Sequence, residues 1–230
     1  AGRTAGRQAE PERAWAGLSL GVDLWDGGGM KAAPFLLRNL ITAPDLPVTY
    51  VLNPRAGSTA IRLTLIRALD GDAEVERVFC PPFTRFRGRG RRGAREALAK
   101  PTFTAVRNPY DRALSCYRSK VAGGGRKIAS KLALPPEPTF EEYMVAVAAS
   151  PTSDRHWAPQ VLNLAGTEPR IFKLEEPGLS DYLLETLGRP LEDITGMYSA
   201  KSLAEHLTGR SADLIREVYA EDFEAFNYPS

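Results

Sequence analysis

The chain has 230 residues, 43% hydrophobic and 25% charged, with a formal net charge of +2. That length suits a single domain with a sizeable core, because one core serves chains of up to roughly 250–300 residues. No apolar run approaches the roughly 18 residues of a membrane helix, the first residues lack the order of a secretory signal, and Cys80 and Cys116 are too few for a disulfide framework or a zinc site.

A reducing, cytoplasmic setting fits this composition, with a Golgi lumen or export as the alternative if a leader is missing. In chain order, residues 1–46 read as a leader: no period is sustained, a glycine run precedes Met30, and a short helix is expected around Phe35–Leu40. The domain is expected over residues 47–230. Three apolar, β-favouring runs follow, "VTYVLN" (48–53), "FTAVRN" (103–108) and "RIFKLE" (170–175), each leading through turn chemistry into a helix-like segment. That alternation predicts an α/β fold with a parallel sheet flanked by helices. In such sheets ligands sit beyond the carboxyl ends of the strands, where Asn53–Thr59, Arg107–Asp111 and Lys173–Glu176 collect.

Charge is segregated along the chain. Residues 83–131 hold 14 Lys/Arg against Glu96 and Asp111, a local balance of +12, and the remainder carries −10. This describes either an anion-attracting surface or, over the Arg-rich residues 85–95, a solvated loop. Further on, residues 138–150 predict a helix capped by Thr139, with Glu141 and Glu142 in its first turn. The final helix places Ile215, Tyr219, Phe223 and Phe226 on one apolar face, which reads as core. Cys116, among apolar neighbours, reads as a small buried hydrophobe.

Two loops carry the chemistry. In "NPRAGSTAIR", Gly57 permits a tight turn, Ser58 and Thr59 open a helix whose Ile61, Leu65 and Leu69 face inward, and Arg55 supplies a forked cation. A helix start of this kind is a phosphate site, although many strand-to-helix turns carry a Gly and a Ser only as turn and cap. In "FTAVRNPYDRALSCYRSK", Asn108 caps a helix with Pro109 at its first position, Arg107 ends the strand, and Ser115 follows eight residues later. An arginine at a strand end with a downstream hydroxyl forms a second candidate phosphate clamp.

"PRAGST", then "VRNPYDRALSCYR" about fifty residues later, resembles the paired phosphate-binding signatures of sulfotransferases that use 3′-phosphoadenosine 5′-phosphosulfate (PAPS). With "DRHWAPQ", "IFKLEE" and "VYAEDFEAFNY" added, the resemblance extends to the membrane-family carbohydrate sulfotransferases of the HNK-1, chondroitin and dermatan type and their bacterial relatives, over residues 48–228. It implies a P-loop-like three-layer α/β sandwich. It also implies that Arg55, Gly57, Ser58 and Thr59 hold the 5′-phosphosulfate of PAPS and that Arg107 and Ser115 hold its 3′-phosphate, with adenosine 3′,5′-bisphosphate (PAP) as product. The family usually has lysine where Arg55 stands, and arginine brings a planar fork in place of a compact ammonium.

His156 is the expected base for the acceptor hydroxyl, which a saccharide or small molecule would supply. From the residues alone a structural histidine pinned by Asp154 is the stronger reading; the His-Trp pair of the resembling family turns the balance to the catalytic role. Trp157 either stacks on a sugar or packs, and His206 reads as a helix-surface residue. Neither a metal nor a membrane span is called for. A P-loop-like nucleotide or small-molecule kinase is the rival enzyme, but "NPRAGST" lacks the Lys-Ser/Thr ending. A nucleic-acid-binding module resting on residues 85–95 leaves Arg107, Ser115 and His156 unexplained.

Overall fold

The structure is a computed structural model and describes residues 39–74, 78, 90–122, 126–194 and 206–230. Its sheet has four strands in the spatial order β1 (Leu40–Ile41), β2 (Thr49–Val51), β3 (Thr102–Val106), β4 (Arg170–Lys173). Strand β1 pairs antiparallel with β2, while β2, β3 and β4 run parallel. The three expected runs are these parallel strands, so the α/β expectation holds. The helix expected around Phe35–Leu40 lies mostly outside the described residues. Its last residue, Leu40, instead forms a strand with Ile41, paired with Val51 and Tyr50 and fully buried with them.

Strand alternation sends side chains to two faces. Ile41, Tyr50, Phe103, Ala105 and Phe172 point into one core, closed by α1 (Ser58–Leu69) through Ile61, Leu63, Leu65 and Ile66. Helix α7 (Gly178–Leu187) adds Leu179 and Leu183 to it. Leu40, Val51, Val106 and Ile171 point to the opposite core, which contains Ala94 and Ala97 of α2 (Gly90–Leu98) and Val161 and Leu164 of α6 (Gln160–Leu164). The result is three layers, with helices on both faces of the sheet. Each fully buried Leu or Ile in them contributes about 1.5–3 kcal/mol by leaving water. Leu69, expected to face inward, is 39% exposed at the last position of α1.

A third cluster lies to one side. It joins α3 (Pro109–Tyr117), α5 (Phe140–Ala149) and α8 (Gly209–Val218) through Leu114, Cys116, Tyr143, Met144, Trp157, Ile215 and Tyr219. Thr139 and Glu142 form a reciprocal capping box at α5, as its sequence predicts. Helix α3 runs into a π-helical turn over Arg118–Ala122, and α4 (Arg126–Lys131) follows. The single helix expected at the end of the chain is two. The backbone leaves the helical region at Tyr219 (φ −113, ψ 24) between α8 and α9 (Ala220–Ala225). All four apolar residues are buried, but the break places Phe226 in the second sheet core, away from Ile215, Tyr219 and Phe223.

Candidate active site

Because β2, β3 and β4 are parallel, the segments after all three emerge at one edge of the sheet. The first, residues 53–57, is held by buried amides. Asn53 donates through Nδ2 to the carbonyl of Ala105 (3.0 Å) and to Gln160 Oε1 (2.8 Å). Gln160 in turn accepts from Arg107 N (3.0 Å) and donates to Arg107 O (2.8 Å), so a single side chain fastens the ends of β2 and β3 together. Asp222, buried on α9, accepts from the backbone N–H of Gln160 (2.8 Å) and Val161 (3.0 Å), closing the start of α6.

Gly57 has φ +70, and a Cβ added there would meet Leu174 Cδ1 at 2.7 Å. The turn therefore requires both the left-handed backbone and the close approach to the segment after β4. Helix α1 starts at the next residue. No side chain caps it among the described residues, and Ser58 and Thr59 are only half-buried. Its first N–H groups and the positive end of its dipole face the same sheet edge as the strand ends. Arg55, also in the left-handed region (φ +72), reaches across the edge. Its Nη2 and Nε donate to Ser115 Oγ (2.7 and 3.2 Å), and its Nη1 donates to Ser119 Oγ (3.0 Å). Ser115 and Ser119 are one turn apart on α3 and its π-helical continuation, a spacing that presents both hydroxyls to one guanidinium. The two sequence loops, 60 residues apart, thus meet in a direct contact.

The second loop folds as its sequence predicts. Asn108 Oδ1 accepts from Tyr110 N (3.0 Å), and Pro109 occupies the first turn of α3. Asn108 N donates to Glu175 Oε1 (2.8 Å), and Glu175 Oε2 accepts from the hydroxyl of Tyr228 (2.9 Å). Lys173 packs against the Tyr228 ring (4.8 Å to its centroid) and donates to Asn227 O (3.1 Å). The end of the chain therefore lies against the outlet of β4, with half-buried Arg107 nearby, whose positive field acts on the Tyr228 hydroxyl.

His156 sits in the turn between α5 and α6. Asp154 Oδ1 lies 2.7 Å from its Nδ1 and accepts from its backbone N–H (3.0 Å), while Lys131 donates to Asp154 Oδ2 (3.0 Å). With Asp154 accepting at Nδ1, the proton resides there and Nε2 is left as an acceptor. Burial pulls the imidazole below its ordinary pKa of 6.5, outweighing the carboxylate that pulls the other way, and Lys120 and Arg155 add to the depression. Burial alone would raise Asp154, but its hydrogen bonds from His156 and Lys131 hold it well below the usual carboxylate range. Trp157 is 0% exposed and donates to Ser150 O, so its indole packs in the core and offers no face to a sugar. His206, expected on a helix surface, lies in a turn with its ring edge-on to Tyr117 (6.1 Å) and Phe140 (6.5 Å).

Sequence reasoning passed over Arg112. It is 1% exposed, and its Nε donates to Pro54 O (3.1 Å) and its Nη2 to Arg155 O (3.4 Å), while its guanidinium lies 5.9 Å from the Tyr219 ring centre. Asn163 donates to the same Arg155 carbonyl (3.1 Å). The structure therefore gathers Arg55, Gly57, Ser58, Thr59, Arg107 and Ser115 along one sheet edge. It also ties the residue before His156 to the residue before Arg55 through one buried cation. Residues 85–89 of the Arg-rich segment, and Cys80, lie outside the described residues. Among the described residues no helix is long and apolar enough to cross a membrane.

No curated protein and no solved structure gives a significant match to the chain. A family model described as the sulfotransferase family matches residues 94–229, which take in Arg107, Ser115 and His156 and leave the loop at 53–59 outside. The match covers more than half of the 230 residues and takes in β3, β4 and the His156 turn: this chain belongs to the sulfotransferase family.

Proposed function

We propose that the protein transfers a sulfuryl group from PAPS to a hydroxyl acceptor, with the donor lying along the edge where β2 and β3 end. The observation that carries this reading is the pairing of two anion-receptive features in one contact. The uncapped start of α1 behind Gly57 lies on one side, Arg107 at the end of β3 and Ser115 on α3 on the other, and Arg55 spans the gap to Ser115. Two separated phosphates on one ligand account for both features; a single phosphate leaves one of them without a role.

In this reading the N–H groups at Ser58 and Thr59 receive the 5′-phosphosulfate, and Arg107 with Ser115 receives the 3′-phosphate. A donor of this kind supplies a sulfur that accepts the acceptor oxygen while its bond to the phosphate oxygen breaks. Arg55 stands where the two halves meet and neutralises charge on the departing phosphate. His156, with Nδ1 held by Asp154, takes the acceptor proton on Nε2. Its lowered pKa keeps it neutral, and so competent as a base, at neutral pH. A saccharide is the acceptor class that the carbohydrate branch of the family suggests.

Thermal stabilisation tests the donor assignment. PAP at a hundred times its dissociation constant should add about 2.7 kcal/mol of stability, a rise of roughly 5–10 °C for a chain of this size, without added metal. ATP with magnesium, or an oligonucleotide, should do much less. Stabilisation by ATP–magnesium but not by PAP would replace this reading with a kinase.

A further inference from the structure

We propose that Arg112 is the positioning residue that sets the donor loop and the base in register, by gripping from below the carbonyl that precedes each. This rests on the assignment of Arg55 and His156 above. The guanidinium donates to Pro54 O, whose carbon is bonded to the nitrogen of Arg55, and to Arg155 O, bonded in the same way to His156. The two peptide units that carry the two proposed catalytic side chains are thus fastened to one rigid, planar fork.

The surroundings of Arg112 are built for that task. It rises from the first turns of α3, the helix that also carries Ser115, so the three parts of the site share one mounting. It is buried to 1%, and a buried cation is costly unless its donors are used. Burial pushes the carboxyl of nearby Asp222 up while the Arg112 charge pulls it back down, and Asp222 fixes the start of α6 just after the His156 turn. The Tyr219 ring lies beside the guanidinium, and the Tyr219 hydroxyl donates to Trp157 O (2.8 Å), holding the other side of the His156 turn. Lysine could not replace this arrangement: an ammonium has the charge but no fixed fork spanning two carbonyls.

Arg112→Lys tests the proposal on binding and on the imidazole, without requiring a known acceptor. The chain has two histidines, His156 and His206, so ring-nitrogen NMR resolves both, and His206 serves as an internal control. In the wild type His156 should show the tautomer protonated at Nδ1. In Arg112→Lys its ring signals should move toward a mixture of tautomers, while His206 stays unchanged. PAP should bind the variant about tenfold more weakly, the scale of one charge-assisted hydrogen bond. A folded variant with His156 signals unmoved and PAP affinity within twofold of wild type overturns the proposal. So does a change shared equally by His206, which marks general loosening.

Should Arg112→Lys fail to fold, the wild-type protein carries the test through the Arg112 Nε–H resonance. It should shift on saturation with PAP, because its acceptor belongs to the donor loop; an unmoved signal at saturation overturns the proposal. If PAP does not bind the wild type at all, the donor assignment itself falls and this inference falls with it. Normal PAP binding with an indifferent Arg112 removes only the inference.

Discussion

Asp154→Asn separates the orientation of His156 from the presence of the imidazole. The carboxylate accepts three hydrogen bonds: from the His156 ring at 2.7 Å, from the His156 amide at 3.0 Å and from Lys131 at 3.0 Å. The Lys131 partner is 43% exposed at its side chain, so that ion pair contributes at most about 1 kcal/mol. The two bonds to His156 contribute about 1 kcal/mol each, and asparagine keeps one acceptor for them. The stability loss should therefore be about 1–2 kcal/mol, a melting shift of roughly 2–8 °C. The effect on turnover should be much larger. An asparagine amide can donate to Nδ1 and leave the ring proton on Nε2, the wrong nitrogen for a base. A positioned base is worth about 10²–10⁴ in rate, and Asp154→Asn should lose most of that factor. The assay is release of PAP from PAPS at pH 7.5, with water serving as acceptor where no better one is known, and PAP affinity measured in parallel. His206→Ala is the matched control and should turn over within twofold of wild type. If Asp154→Asn retains turnover within threefold, His156 is not the base and the Asp154 contact is purely structural.

Arg107→Ala should weaken PAP binding at least tenfold, since charge-assisted hydrogen bonds contribute about 1.5–3 kcal/mol each; calorimetric titration giving unchanged affinity would remove Arg107 from the 3′-phosphate site. Gly57→Ala should destabilise by about 1–2 kcal/mol, because the Leu174 methyl at 2.7 Å can turn aside but a φ of +70 cannot be relieved for alanine. Thermal melting checks this, and an unchanged midpoint would show that the turn relaxes. The His156 pKa is lowered in the folded state, so below 6.5 the unfolded chain binds the extra proton first and stability rises with pH through that window. Melting curves from pH 5 to 8 should therefore rise more steeply for wild type than for His156→Gln, and equal slopes would contradict the burial of the ring.

The fold was legible where local pattern and pairing agree. The runs at 48–53, 103–108 and 170–175 are short, apolar and followed by turn residues, and all three became parallel strands whose alternate side chains enter two cores. Leu40–Ile41 left no comparable mark. Two residues are too few to show a period, and their strand exists only because Val51 and Tyr50 stand opposite. The break at Tyr219 was equally silent. The spacing of three and four residues runs through it, and the hydrogen bonds from Tyr219 N to Ile215 O and from Phe223 N to Tyr219 O continue across the corner. What differs is the destination of Phe226, which a neighbouring layer decides.

The proposed site was legible in its rim and hidden in its foundation. Arg55, Gly57, Ser58 and Arg107 stand in turns, at a strand end and at a helix start, where residue type reports directly on backbone need and on anion affinity; Ser115 lies inside α3 and shows only through its spacing from Arg107. Arg112, Asp222 and Gln160 read as ordinary polar residues on helices, because their burial depends on segments about 40 to 110 residues away in sequence: Pro54, Arg155, Asn53 and Arg107. One signal could have found them. Asp222 falls three residues after Tyr219 and four before Phe226, in phase with an apolar face where a solvated carboxylate does not belong. Arg112 likewise stands four residues before Cys116 on the inward side of α3. A charge in phase with a buried stripe must find partners or be expelled. Here the partners are backbone groups of the very loops proposed to carry the chemistry, the carbonyls before Arg55 and before His156, and the amides that open α6. The buried charges are therefore where the separate rim residues are converted into a single geometry.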